Sequence, residues 1–393
     1  MAYLHIIRLD GCIRNLWKTP AAPSWTCLHG APAQHIPIRR SPDMRINPGI
    51  YVLDLGSDRR QFGLGSGALL LAGLTDADLT FIHALRSGIP DGGEPEAAAA
   101  AGVDTQRSEQ LLRALAPVLL ANPADRRLLP PLRQERLGPD LERLSAVYGR
   151  DALEPVALRG SAAVEVLGLG RCGALAARIL AAAGIGTVLL GDAGIVRPSD
   201  VGPAYALTDI GMPRFQAVKR QLYRIDPTVR VVQIPWPSAE AGPAGVDLSI
   251  LACEQPAPLH ALPEGRREQP HLAIAAQQYG YQVGPLVVPG ATPCLGCLDR
   301  HRGDADPGWY AAALAPEGPA QDENAGPGGE EVSSAALAAA AAAGQALSFI
   351  DGVAQPVTWS AVLQFRAADG HAGIEPLEFH PSCGCRLQSA RAA

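Results

Sequence analysis

The 393-residue chain has no surplus of positive charge: 33 Lys and Arg face 39 Asp and Glu, a formal net charge of −6. Without a basic field to neutralise a phosphate backbone, nucleic acid is an unsuitable partner. The sequence also lacks an uninterrupted apolar run of the roughly 18–20 residues that a membrane helix needs. Its alanine tract over 335–343 is short and only weakly apolar. The first residues lack the basic, apolar, small-residue succession of a signal peptide. These absences point to a cytoplasmic protein with no membrane partner, whose eight cysteines are expected to stay mostly reduced. What is present is a globular composition, 47% hydrophobic and 18% charged.

Residues 1–43 are rich in Pro, Trp, Cys and His without a sustained period, and are expected to be a disordered extension or an upstream start-site artefact. Met44 opens a cleaner pattern. Alternation over 51–55, a turn at Gly56, a return over 61–64 and a third run over 68–71 predict a small antiparallel sheet. Thr75 and Asp78 make a capping-box start for a helix carrying Leu79, Ile82 and Leu85 on one face, and a second helix is expected over 108–120. Residues 44–122 therefore read as one compact module. Residues 123–160 read as a charged, partly helical connector, with Leu141, Leu144 and Val147 as its candidate buried face.

The large domain, 161–393, opens on an apolar run that breaks into Gly168-Leu169-Gly170-Arg171-Cys172-Gly173. Gly168 permits a sharp turn off a strand, Gly170 removes a side chain where a phosphate would approach, and Gly173 lets the next helix pack on the strand. The helix over 174–183 would aim free N–H groups at an anion, and a second strand over 187–190 ends beside Asp192. This succession predicts a dinucleotide- or ATP-type fold; a glycine-rich turn that binds nothing is the bland alternative. A helix over 213–225 and strands over 229–234 and 247–252 imply a mainly parallel sheet with helices on both faces, so ligand belongs at the strands' carboxyl ends. The Gly/Pro-rich stretch 316–329 is the candidate mobile loop. An alanine-rich helix to Ile350 and a strand over 357–365 complete the domain.

Cys294-Leu295-Gly296-Cys297 and Cys383-Gly384-Cys385 lie far apart in sequence. Two thiol pairs in a reducing compartment suit a metal better than disulfides, and four thiolates give the closed tetrahedral shell of structural zinc. Such a site clamps two distant segments, so its binding energy contributes to folding. The one-residue spacing of the second pair leaves His380 as an alternative ligand; redox thiols and unliganded cysteines are the other readings. Cys12 and Cys27 lie in the extension, and Cys172 and Cys253 have no thiol partner at metal spacing. Cys253 reads as a buried strand-end residue.

The glycine loop, the acid after the second strand and the two cysteine motifs together resemble the ThiF/MoeB family, prokaryotic relatives of ubiquitin-activating enzymes, over 161–385. The run His271 to Cys297, with Val283 through Pro289-Gly290-Ala291-Thr292-Pro293 to the cysteines, then Asp299-Arg300-His301-Arg302, Asp306-Pro307-Gly308-Trp309 and the ending His380-Pro381-Ser382-Cys383-Gly384-Cys385, is similar to the actinobacterial branch. There the ThiF-like domain is often preceded by a small winged-helix-like module that binds the leader of a ribosomal precursor peptide. The resemblance implies an α/β fold, a Rossmann-like ThiF/MoeB domain with a mainly parallel sheet and a zinc clamp, preceded by a small α+β winged-helix-like module over 44–122.

The family's chemistry is adenylation of a C-terminal carboxylate, in which cations and Mg2+ neutralise the transferring phosphates of ATP. The resemblance assigns Gly168, Gly170, Gly173, Arg171, Asp192 and Lys219 to the cofactor, with Asp192 on the ribose. It makes Arg214, at the usual lysine position, and Glu254, where the magnesium-binding aspartate usually stands, the catalytic candidates. Structural Zn2+ goes to Cys294, Cys297, Cys383 and Cys385. This chain departs from the family's Asn-x-x-Arg-Gln pattern: Asp200 takes the Asn position, where it would repel a triphosphate, and Pro203 replaces the phosphate-binding arginine. With no cysteine between Cys297 and Cys383, the crossover-loop nucleophile is missing too.

Two functions follow from the resemblance. One is a ThiF-like protein that binds a precursor peptide by strand addition and presents it to a partner such as a YcaO-type cyclodehydratase, its ATP chemistry weakened or lost. The other is an active adenylyltransferase acting on the C-terminus of a small carrier protein or peptide. An NAD(P)-dependent oxidoreductase would share the turn and the acid but leaves the four cysteines without a role. A homodimer is the family expectation.

Overall fold

The computed structural model describes residues 5–8, 43–90, 92–121, 128–235, 245–253, 267–310 and 331–388. Cys12, Cys27, Glu254, the candidate loop 316–329 and most of the 1–43 extension lie outside them. The chain divides into two compact units, Met1–Glu154 and Pro155–Ala393.

In the first unit β1 (His5–Arg8), β2 (Asp43–Ile46), β3 (Val52–Asp54), β4 (Arg59–Phe62) and β5 (Leu69–Ala72) precede α1 (Asp76–Ser87). After it come β6 (Ile89–Pro90), α2 (Glu94–Ala101), α3 (Thr105–Leu115) and β7 (Leu119–Ala121). The strands form two antiparallel sheets, in the orders β1-β5-β4-β3 and β6-β2-β7. The meander expected over 50–71 is therefore present, with a fourth strand from residues 5–8. That strand corrects the reading of the whole extension as disordered: main-chain pairing requires no side-chain period, and four residues are too few to display one. The capping box at α1 forms as expected, with Asp78 N donating to Thr75 Oγ1 at 3.2 Å and Thr75 N to Asp78 Oδ2 at 2.9 Å. Phe81, Ile82 and Leu85 of α1 share one core with Phe62, Leu71, Leu111 and Leu115.

α4 (Pro131–Arg136) and α5 (Gly138–Tyr148) occupy the stretch expected to be a connector, and they are tied into the first unit. Asn47 Nδ2 donates to Ser145 O at 2.9 Å, and Arg45 pairs with Asp151 at 3.0 Å. Val147 was expected on the buried face but is 67% exposed, because α5 turns its Ser145 side inward instead. Leu141 and Leu144 are half-buried.

The division between units falls in α6 (Leu153–Arg159). The second unit continues with β8 (Ala163–Leu167), α7 (Arg171–Ala182), β9 (Thr187–Gly191), α8 (Arg214–Ile225), β10 (Arg230–Ile234) and β11 (Leu248–Cys253). Next are β12 (His271–Gln277), β13 (Gly280–Val287), α9 (Leu295–Ala305), α10 (Val332–Asp351), β14 (Ala361–Arg366), β15 (Ala372–Pro376) and α11 (Cys385–Gln388). Its strands make one eight-stranded sheet in the order β10-β9-β8-β11-β12-β13-β14-β15. Pairing is parallel from β10 to β12 and antiparallel from β12 to β15. The fold is thus α/β on a mainly parallel sheet.

The alanine-rich helix is longer than the 335–343 tract suggests. α10 has 20 residues at a mean hydropathy of 1.4, long and apolar enough to cross a membrane by length and composition. Its alanines 335, 338, 339, 342, 343 and 346 are instead buried in the unit's core, where the helix packs on α7. Its last residue, Asp351, accepts two hydrogen bonds from the Arg159 guanidinium at 2.6 and 2.7 Å, and Arg159 Nη1 donates to Ala183 O at 3.0 Å. Arg159 is 2% exposed and Asp351 3%.

Candidate nucleotide turn and metal centre

β8 delivers the chain to the glycine turn, which is folded tightly against β11. Gly168 has φ +85°, and a Cβ there would lie 2.2 Å from Ala252 O. A Cβ on Gly173 would lie 2.0 Å from Gly168 O and 2.9 Å from Ala252 Cβ. Both glycines are therefore required by space. Gly173→Ala is expected to destabilise the protein by about 1–3 kcal/mol, the usual penalty of overpacking, measurable as a lowered urea midpoint; an unchanged midpoint would show that the turn opens freely. Gly170 is the N-cap of α7 and offers no side-chain acceptor, which leaves the helix's first-turn amides to an anion.

Asp192, just after β9, holds this turn in place. Its Oδ2 accepts from Leu169 N and its Oδ1 from Gly194 N, each at 2.6 Å. Arg214, the first residue of α8, is lodged between two carboxylates. Its Nε and Nη2 donate to Asp200 Oδ2 and Oδ1 at 3.2 and 2.9 Å, and its Nη1 lies 3.5 Å from Asp192 Oδ2. Asp200 also accepts from Arg197 N at 2.8 Å.

Asp200 is therefore no bare charge awaiting a triphosphate, as its sequence position suggested. It is 6% exposed beside an Arg214 that is 9% exposed, and burial without a partner would be costly. The same pairing alters the part expected of Arg214: its bidentate fork is already engaged by a carboxylate.

The remaining candidates are distributed unevenly. Arg171 Nη2 donates to Val201 O at 3.1 Å, beside the Asp200 segment. Lys219 Nζ lies 5.6 and 5.9 Å from the ring centroids of Phe215 and Tyr223, one turn to either side on α8, a cation–π placement. Two groups at this site carry no local sequence signal. Tyr205, 1% exposed, donates its OH to Leu169 O at 2.6 Å. Arg178 of α7 donates to Pro203 O, bringing a guanidinium to the position where the family pattern loses its arginine.

The four motif cysteines converge from the segments after β13 and β15, and their Sγ atoms all lie within 4.8 Å of one another. Cys294 Sγ is 3.9 Å from Cys297 Sγ and 3.6 Å from Cys383 Sγ, while Cys297 Sγ is 3.5 Å from Cys385 Sγ. A zinc tetrahedron with metal–sulfur bonds of about 2.3 Å has edges of about 3.8 Å, so the four sulfurs fit the ion. The Cys294 thiol, donating to Cys297, holds Cys297 down to about 4 and is itself pushed up by that bond. Burial raises Cys385 to about 11. Arg300 Nη1 stands 3.7 Å from Cys383 Sγ, a cation suited to a thiolate cluster. His380 is not a ligand: its Nε2 meets Asp304 Oδ2 at 2.9 Å and its Nδ1 accepts from Ser382 N at 3.1 Å.

The sequence model of the ThiF family matches residues 157–387, which take in the glycine turn and all four cysteines. The chain belongs to the ThiF family. Among curated relatives, Protein HesA of Nostoc sp. is 28% identical over 156 residues, 37% of this chain and 61% of HesA. The vegetative HesA of Trichormus variabilis is 32% identical over 149 residues, 35% of this chain and 55% of its own length. The chain thus spans less than two thirds of these curated relatives.

Among solved structures, E. coli MccB with ATP aligns over 87% of this chain and 99% of its own, with a TM-score of 0.63 at 16% identity. The microcin C7 biosynthetic enzyme MccB in complex with N-formylated MccA aligns over 88% and 99%, with a TM-score of 0.62 at 16% identity. PaaA aligns over 84% and 98%, with a TM-score of 0.63 at 15% identity. At these identities the likeness is one of fold.

Proposed function

We propose that this ThiF-family chain binds a ribosomal precursor peptide through residues 44–122 and presents it to a partner modifying enzyme, such as a YcaO-type cyclodehydratase, with ATP adenylation weakened or lost. The observation that carries this reading is Arg214, held between Asp200 and Asp192. One guanidinium and two carboxylates leave that cluster with a formal charge of −1, the wrong sign for a triphosphate. The first unit supplies antiparallel sheet edges for strand addition, in which main-chain hydrogen bonds provide affinity and alternate side chains specificity. In this reading the protein acts in the cytoplasm as a homodimer, with zinc at the four cysteines as its structural metal.

The full chain is expected to retain its co-encoded precursor in a pull-down and to catalyse no ATP–pyrophosphate exchange with it. Exchange well above background that Arg214→Ala abolishes would overturn the proposal. Asp200→Asn removes one charge and releases Arg214, so it is expected to strengthen ATP binding by about tenfold in a filter assay. Unchanged affinity would show that the carboxylate is not what opposes the nucleotide.

A second reading, an active adenylyltransferase, is favoured by the uncapped N-terminus of α7 behind the glycine turn. MccB, which shares the fold, is a microcin C7 biosynthetic enzyme with structures that hold ATP in one case and N-formylated MccA in another. In this reading Asp192 would leave its present amide partners for the ribose, Arg171 and Arg214 would bind phosphate, and Glu254, outside the described residues, would hold Mg2+.

A further inference from the structure

The sheet of the first unit has two very different edges. At one lies β3, three residues long, whose Asp54 forms an ion pair with Arg60 at 2.8 Å. Shortness and charge are the usual protections of a strand edge against further pairing. Toward the other lies β5, Leu69-Leu70-Leu71-Ala72, with no charge and no proline. Leu69 and Leu71 face the core, 7% and 0% exposed. Left bare, the free side of β5 would be an unguarded template for another strand.

That side is taken by the chain itself. β1 pairs antiparallel with all of β5, in the register His5↔Ala72, Ile6↔Leu71, Ile7↔Leu70 and Arg8↔Leu69. β4 pairs with the same four residues on the opposite side, Arg59↔Ala72 through Phe62↔Leu69. β1 is covalently continuous with β2 at Asp43, and a tethered strand acts at an effective concentration on the order of millimolar.

We propose that β5 is the strand-accepting edge of this protein and that residues 5–8 hold it in a self-occupied state, so that an extended peptide gains the edge only by displacing the chain's own N-terminal strand. The physiological competitor rests on the precursor-binding reading above; the self-occupancy does not. Main-chain hydrogen bonds supply the affinity in both cases, so the exchange is one strand for another with the sheet unchanged.

The test uses the full chain and a fluorescein-labelled synthetic peptide of its residues 1–12 as probe. Alternate amides of an antiparallel strand face its partner, so the paired substitution Ile6→Pro with Ile7→Pro removes at least one ladder donor whichever amide faces β5. The double variant is expected to bind the probe about tenfold more tightly than the wild type, whose edge is already filled from the tether. Amide exchange at Leu69–Ala72 should quicken in the variant without the probe and slow again when it is added. Exchange over Asp76–Ser87 should stay unchanged, which shows that the unit remains folded.

Equal probe affinity in the two proteins, or unaltered exchange at Leu69–Ala72, overturns the self-occupancy. Faster exchange with no probe uptake overturns the strand-accepting role. A failed precursor pull-down beside a positive probe result would instead remove the proposed function and leave the self-occupied edge standing.

Discussion

Cys297→Ser is expected to strip the protein of zinc and to lower its thermal midpoint by about 10–20 °C, a shift appropriate to 4–5 kcal/mol in a unit of this size. The reasoning is topological. Cys294 and Cys383 are 89 positions apart, so a metal held by both thiol pairs closes a loop of nearly that length. A crosslink around about 100 residues restricts the unfolded chain by about 4.7 kcal/mol on the chain-entropy account. The measurement is zinc content by plasma emission beside calorimetry: about one ion per wild-type chain, next to none in the variant. His380→Ala should keep its zinc, since both ring nitrogens are engaged elsewhere. Zinc-free wild-type protein that melts at the same temperature as Cys297→Ser would refute the clamp.

The second large effect concerns Arg159. Its bidentate pair with Asp351 is almost wholly buried and fastens α6 to the end of α10. Arg159→Ala would strand the Asp351 carboxylate in the core, and breaking a buried pair from one side costs about 3–5 kcal/mol. Removing both partners for apolar groups of similar volume, Arg159→Met with Asp351→Leu, should be much milder, because no uncompensated charge remains. Denaturant midpoints of the three proteins decide the matter. A double variant as unstable as Arg159→Ala would mean that the guanidinium's bond to Ala183 O, rather than the charge pair, is what matters.

Features governed by local chemistry are legible in the sequence. Gly168 and Gly173 stand where a positive φ and a 2.0 Å clash demand glycine. The α1 capping box and the thiol spacing follow from reach along a few residues. The partners of charges are not legible in this way: Asp200 and Arg214 are 14 positions apart, and only the loop between β9 and α8 brings them together.

β12 and β13 escape periodicity because they are buried along most of both faces, so neither alternates apolar with polar residues; in β13 the polar Gln282 is itself buried and Gly284 and Pro285 break the run. β1 escapes because it lies in a stretch with no period at all. α10, by contrast, is legible: the alanine-rich helix expected to end at Ile350 runs from Val332 to Asp351.

The change from parallel to antiparallel pairing at β12 has a consequence for how this protein tolerates alteration. The glycine turn springs from β8, whereas the cysteines follow β13 and β15, and β11 and β12 lie between β8 and β13. Three strand spacings of about 4.8 Å separate β8 from β13 by roughly 14 Å. Sites more than about 7–10 Å apart with no shared partner contribute nearly independently. Asp200 bonds Arg197 and Arg214, whereas the cysteines bond one another and Arg300, so a change of charge at Asp200 is expected to leave the far half of the sheet anchored as before.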